Sequence, residues 1–190
     1  MFSFGILSLL FALAAAQTPS GFTPNVTAHL DVIYPSAEIT PGLSMSKASV
    51  ASVPTIGTSD EILSGTYLFI MIGDFNKPGS IAGLAAGTRT TLLHAMVTGY
   101  KPSGTTKNTT HVLSSTDTGP ASYMAPGPPA ETPPHPHKYV QLLFPQPASF
   151  AVPASMKSVI SSRVGFDINK FITAASLDAP LRANWFTVTG

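Results

Sequence analysis

Three short stretches of this chain hold the side chains with binding or catalytic chemistry. The first, from Tyr123 to Gln146, reads YMAPGPPAETPPHPHKYVQLLFPQ and carries His135 and His137 two residues apart. A strand period of two puts His135, His137 and Tyr139 on one face and Lys138 on the other. The second is Gly73-Asp74-Phe75-Asn76-Lys77-Pro78, immediately after the apolar run YLFIMI, with Asp74 and Asn76 on one side. The third is His94 inside the otherwise apolar Leu93-His94-Ala95-Met96-Val97. Imidazoles supply N–H donors, and positive charge when protonated. Tyr139 adds a hydroxyl, and Gly127 lets the backbone approach a ligand closely. Asp74 binds no anion itself; it is suited to accept from a histidine N–H and so fix tautomer and orientation. Together these groups suit a small pocket at one end of a strand sandwich. Taken singly such residues more often fill blander roles: His94 a satisfied core residue, Asp74 a turn cap, His-Pro-His a loop pattern and not a metal site. Periodicity alone leaves function open.

The elements that must position these groups are mostly strands. Residues 30–34 (LDVIY), 67–72 (YLFIMI), 92–98 (LLHAMVT), 138–144 (KYVQLLF) and 184–188 (NWFTV) are short β-branched and aromatic runs bounded by turn residues. YLFIMI lacks polar alternation and is expected to be a central strand buried on both faces. Eighteen prolines leave little room for long helices. One helix is expected over 167–174, capped by Asp167 with Ile168, Phe171 and Ile172 on one face, and another short helical turn over 155–163. A long Gly/Pro/Ser/Thr-rich loop is expected over 101–132, a length typical of functional or disordered segments. The fold class is therefore mainly β, an antiparallel sandwich with one or two short peripheral helices.

Residues 2–16 (FSFGILSLLFALAAA) form an uncharged apolar run ending Ala14-Ala15-Ala16. This is the pattern of a secretory signal peptide cleaved before Gln17, and it falls short of the ~20 apolar residues of a spanning helix. Residues 17–190 then form one domain of a size that can build its own core, with no transmembrane segment in the mature chain. The chain has no cysteine, which excludes thiolate metal sites and Cys nucleophiles. Ten Lys or Arg against nine Asp or Glu, scattered singly, offer no basic stripe for nucleic acid. Asn25-Val26-Thr27 and Asn108-Thr109-Thr110 are N-glycosylation sequons in polar stretches. Secretion and glycosylation at Asn25 and Asn108 follow as expectations.

In order, spacing and local sequence these segments resemble the phosphatidylethanolamine-binding protein family. The family's D-P-D-A-P motif corresponds to Asp74-Phe75-Asn76-Lys77-Pro78, and its L-H-W-L-V-like strand to Leu93-His94-Ala95-Met96-Val97. The PGPP and HKYV…LF-x-Q parts of Tyr123 to Gln146 are the most specific piece, and Arg163 to Phe186 matches the C-terminal stretch. The resemblance implies an anion-binding pocket at Asp74, His94, Gly127, His137 and Tyr139, bordered by Asn76 and Pro78, with a cis Lys77–Pro78 bond. Two positions depart from the pattern: Asn76 replaces the motif's second aspartate, and Ala95 replaces an aromatic. The first removes a charge, and the second opens a wall.

The function implied is non-enzymatic binding of a phosphate or carboxylate group, such as a phospholipid headgroup, without a cofactor. With no Lys or Arg mapped to the pocket, affinity is expected to be modest and to fall as pH rises through histidine titration near 6.5. A second reading, from the activities of some family members, is inhibition of a secreted protease or a signalling interaction through the same surface. A third is a metal-dependent hydrolase, since Asp74, His94 and His137 have the side-chain types of a metal triad. The chain has neither G-x-S-x-G nor H-E-x-x-H to support it.

Overall fold

The computed structural model describes residues 16–76 and 89–190. Its strands are β1 (Asp31–Ile33), β2 (Leu43–Met45), β3 (Thr55–Thr58), β4 (Tyr67–Asn76), β5 (Arg89–Lys107), β6 (Thr110–Ser114), β7 (Pro120–Ala121), β8 (Pro136–Pro145) and β9 (Arg182–Thr189). Two short helices, α1 (Lys157–Ser162) and α2 (Ile168–Ala175), lie between β8 and β9. The strands form one sheet in the order β1-β3-β6-β5-β4-β8-β9-β2, with β7 beside β5. Only β2 runs parallel to its neighbour, β9; the other named strand pairs are antiparallel. The expected sandwich thus carries one parallel edge pair.

The nineteen-residue β5 turns this sheet into two layers. Its first part pairs with β4, and from Lys101 onward it pairs with β6. Gly99 sits near the change-over with φ of +74°, a left-handed conformation that glycine adopts without a Cβ penalty. The layers β1-β3-β6 and β5-β4-β8-β9 enclose a core of Val32, Ile56, Phe69, Met71, Val97, Leu143 and Phe186, among others. The opposite face of the wide layer, with Leu68, Ile70, Leu93 and Leu142, is covered by Ile160, Phe166, Ile168 and Phe171 from the helical region. YLFIMI is therefore buried on both faces: its odd positions enter the first core and its even positions the second.

Local chemistry accounts for the helix ends. The Asp167 carboxylate accepts from the backbone N–H groups of Asn169 and Lys170, satisfying two donors of the first turn of α2. A 3-10 turn, Ala154–Met156, leads into α1, which ends on Arg163 at φ of +65°. Of the stretch expected as a long loop over 101–132, the part up to Ser114 belongs to a hairpin and the rest is irregular apart from β7. β5 continues to Lys107, Asn108 turns at φ of +55°, and β6 and β7 follow. Residues 101–107 carry no apolar alternation because nearly all of them face solvent. The short strands β2 and β3 also carried no signal in their apolar pattern. Cis peptide bonds occur at Thr23–Pro24, Gly119–Pro120 and Thr132–Pro133 among the described residues. Residues 1–15, the Lys77–Pro78 bond and Pro78 lie outside those residues, as does the side chain of Asn76.

Candidate functional site

His94 owes its position to an irregularity in the sheet. Met71 pairs with Ala95 and Ile72 with Leu93, so His94 is an extra residue in β5 with no partner opposite in β4. A bulge of this kind re-aims one side chain out of the regular alternation. The ring is then held by Met124: the Met124 N–H donates to the His94 carbonyl at 2.7 Å, and His94 Nδ1 donates to the Met124 carbonyl at 2.8 Å. With Nδ1 as the donor, Nε2 is left as the acceptor of the neutral ring. Burial pushes the His94 imidazole down to about 4, the nearby Arg163 charge adding to it against the Met124 hydrogen bond. His94 is thus neutral over the physiological range, and the positive charge expected of it is absent there.

Arg163 builds the wall behind His94. Its guanidinium donates to the carbonyls of Leu93, His94 and Ser122 and to the Ser122 hydroxyl, tying the segment after β7 to β5. Tyr123, in that segment, donates to the Val50 carbonyl at 2.7 Å, and its hydroxyl lies 3.1 Å from that of Tyr34. Burial raises the Tyr123 hydroxyl to about 12.

Tyr139 comes from the neighbouring strand on the other side of β4. Its ring stacks on Phe186 at 5.3 Å and meets His94 edge-on at 5.0 Å. Burial, with the Asp74 carboxylate nearby, raises its hydroxyl pKa well above the ordinary value, so Tyr139 stays protonated. Between the two rings lies Gly73. A Cβ there would sit 2.9 Å from both His94 Nε2 and Tyr139 Cε1, so only glycine leaves both rings where they are.

At Asp74 the β4–β8 ladder closes through side chains. Gly73 is the last residue of β4 that pairs with β8, opposite Tyr139. Next along, the Asp74 carboxylate takes the Lys138 N–H at 2.6 Å, and His137 Nδ1 donates to the Asp74 backbone carbonyl at 3.0 Å. The expected bond from histidine to the carboxylate is therefore replaced by one to the main chain, with the nearer carboxylate oxygen 3.8 Å from His137 Nδ1. The buried His137 Nε2 lies 3.3 Å from Glu131 Oε1 without the geometry of a hydrogen bond.

Asp74, His94, Gly127 and Tyr139, with Leu92, Met124, Ala125 and Pro128, line one cavity of about 120 Å³. His137 is not on its lining; buried, it supports Asp74 from behind. Gly127 has no left-handed φ, and a Cβ there would meet nothing within 4 Å, so packing does not demand a glycine at that place. The period-two reading of β8 is seen in its burial: His137 and Tyr139 inside, Lys138 exposed. His135 meets the His137 ring edge-on at 5.5 Å. Three residues shape the site in roles the sequence reading did not give them: Gly73, which stood at the head of the second cluster without a role, Arg163 and Glu131. The glycine directly after a doubly buried strand was a usable signal. The other two act through contacts between distant segments.

Among the described residues, no group of three or more His, Asp or Glu is arranged to hold a metal ion. Nor is any helix among them long and apolar enough to cross a membrane. Both sequon asparagines, Asn25 and Asn108, are exposed. Asn108 stands at the tip of the β5–β6 hairpin, while the Thr110 hydroxyl of its sequon is buried and donates to Asp31.

Phomoidride biosynthesis cluster protein N of Talaromyces stipitatus is 28% identical over 201 residues, covering 98% of this chain and 96% of that protein. A protein of the same name from a fungal species is 39% identical over 97 residues, covering 48% of this chain and 43% of its own. Among solved structures, the carboxypeptidase Y inhibitor complexed with its cognate proteinase aligns with a TM-score of 0.57 at 17% identity, over 86% of this chain and 84% of that one. The sequence profile of the phosphatidylethanolamine-binding protein family matches residues 32–186, and this chain belongs to that family.

Proposed function

We propose that this is a secreted, N-glycosylated binding protein without catalytic activity, whose cavity takes a phosphate or carboxylate group such as a phospholipid headgroup. One observation carries the reading: Asp74, His94, Gly127 and Tyr139, from three stretches of the sequence, line a single cavity of about 120 Å³. At about 30 Å³ per water, that is room for about four waters or one small oxyanion. Membership of the family supports binding as the activity. Among the described residues neither His94 nor His137 hydrogen-bonds to a serine or threonine hydroxyl; both turn Nδ1 to a main-chain carbonyl, which supports a binding role over nucleophilic catalysis.

Titration with phosphoethanolamine, followed through backbone amide NMR shifts at pH 5.5, tests the reading. Saturable shifts centred on Gly73, His94, Gly127 and Tyr139 are expected. Shifts confined to other regions, or none at all, would remove the site.

A second reading is inhibition of a secreted carboxypeptidase or other protease through the rim of this cavity. The likeness in fold to the carboxypeptidase Y inhibitor supports it. A panel of secreted carboxypeptidases and serine proteases assayed with excess protein decides; unchanged activity throughout dismisses it.

A further inference from the structure

The cavity presents acceptors where an anion needs donors. His94 spends its only N–H on the Met124 carbonyl, so Nε2, which lies beside Gly73 at the cavity, offers a lone pair. Asp74 gives one carboxylate oxygen to the Lys138 N–H and is otherwise a further acceptor on the lining. No Lys or Arg is among the described lining residues. A fully ionised oxyanion placed there meets a carboxylate and an imidazole lone pair, with the Tyr139 hydroxyl as the one side-chain donor on the described lining. Two anions sharing a site resolve the conflict by keeping a proton between them.

Resting on the headgroup-binding reading, we infer that the cavity accepts an oxyanion only when the ligand brings its own O–H: a phosphate monoester as its monoanion, in preference to the dianion or to a phosphodiester. The ligand O–H then donates to Asp74 or to His94 Nε2, and Tyr139 donates to a remaining ligand oxygen. A diester has no such proton at any pH. Among lipids, the class selected carries a terminal phosphate monoester.

The charged and titratable groups of the described elements around the site agree with this. Asp74 comes from β4, His94 from β5, and Tyr139 and His137 from β8, with Glu131 beside His137 Nε2. Arg163 stands behind His94, its guanidinium occupied by carbonyls. Lys138 has an exposed side chain and reaches Asp74 through its backbone. The neutral state of His94 over the physiological range keeps its Nε2 an acceptor.

Calorimetric titration of the full chain with phosphoethanolamine and with glycerophosphoethanolamine, at pH 5.0, 6.5 and 8.0, tests the inference. Phosphoethanolamine is expected to bind at pH 5.0 and about a hundredfold more weakly at pH 8.0, following a second phosphate pKa of about 6. Glycerophosphoethanolamine, a diester, is expected not to bind. With aminoethylphosphonate, whose second pKa is higher, the midpoint should move up by the difference between the ligands. Asp74→Asn keeps the acceptor for Lys138 and should shrink the ratio between pH 5.0 and 8.0 at least tenfold.

Equal binding of the diester, a flat profile, or a midpoint that ignores the ligand's pKa overturns the inference and leaves headgroup binding standing. An unchanged ratio in Asp74→Asn, or competition by ethanolamine alone, which would put an ammonium in the cavity, overturns it as well. If neither phosphate compound binds at any pH, the headgroup reading fails and takes the inference with it.

Discussion

Replacing Gly73 with alanine places one methyl group between two rings that have nowhere to go. Its Cβ would lie 2.9 Å from both His94 Nε2 and Tyr139 Cε1, inside van der Waals contact. His94 is pinned by two hydrogen bonds to Met124, and Tyr139 is stacked on Phe186 and 3% exposed. Gly73 has no left-handed φ, so the backbone itself tolerates alanine and the whole cost is steric. Overpacking of this kind costs about 1–3 kcal/mol. For a chain of this size that corresponds to about 2–4 °C in Tm per kcal/mol. Urea unfolding of wild type and Gly73→Ala, with the m-value unchanged, gives the difference directly. His94→Ala removes one of the two clashing rings, so the cost of Gly73→Ala in that background should fall by about half or more, a coupling a double-mutant cycle measures. Phosphoethanolamine binding should weaken at least tenfold in Gly73→Ala. Wild-type midpoint and affinity in Gly73→Ala, or additivity with His94→Ala, would refute the packing described here.

Three further outcomes are expected. The folded-state pKa of His94, about 4, lies below the 6.5 of the free side chain, so the unfolded chain binds a proton between those values that the native state does not. Stability is therefore complete above pH 6.5 and declines by about 3 kcal/mol as pH falls to 4. The drop in urea midpoint from pH 7 to 4.5 should be smaller in His94→Gln than in wild type, and an equal drop would place the titration elsewhere. Arg182, with a side chain only 5% exposed, donates to the His29 carbonyl and pairs with Asp60 and Glu61. Because those carboxylates can rehydrate at the surface, Arg182→Ala should cost about 1–3 kcal/mol in thermal unfolding, below the usual figure for a fully buried pair. Expressed in a secreting eukaryotic host, the protein should begin at Gln17 and show glycan at Asn25 and Asn108 by mass spectrometry; an intact Phe2 and unmodified asparagines would count against export.

Much of the fold was legible in particular residues. The five expected strands all form, each within a few residues of its expected ends except β5, because runs such as YLFIMI and KYVQLLF are short, rich in β-branched and aromatic residues, and bounded by turn residues. Asp167 announces α2 because capping is a bond to the next two or three residues, settled within a single turn. The hairpin of β5 and β6 was missed because both faces of residues 101–107 are wet, and hydropathy has no period where nothing is buried. β2 and β3, at three and four residues, are held by their neighbours in the sheet and not by any apolar period of their own. Of the candidate site, Asp74, His94, Gly127 and Tyr139 were nameable from residue types and family resemblance. The supporting place of His137 and the roles of Gly73, Glu131 and Arg163 were not.

The amino-acid order alone settled which side chains exist to meet and which segments are strands, since both are written in composition and short-range period. Tertiary structure decided what those side chains are. The bulge that turns His94 inward depends on how β5 registers against β4, and the acceptor character of its Nε2 depends on a carbonyl thirty residues away. Burial among Met124, Tyr139 and Gly73 sets the charge of that ring, and a proton's free energy depends on everything packed around it, which no window of sequence contains.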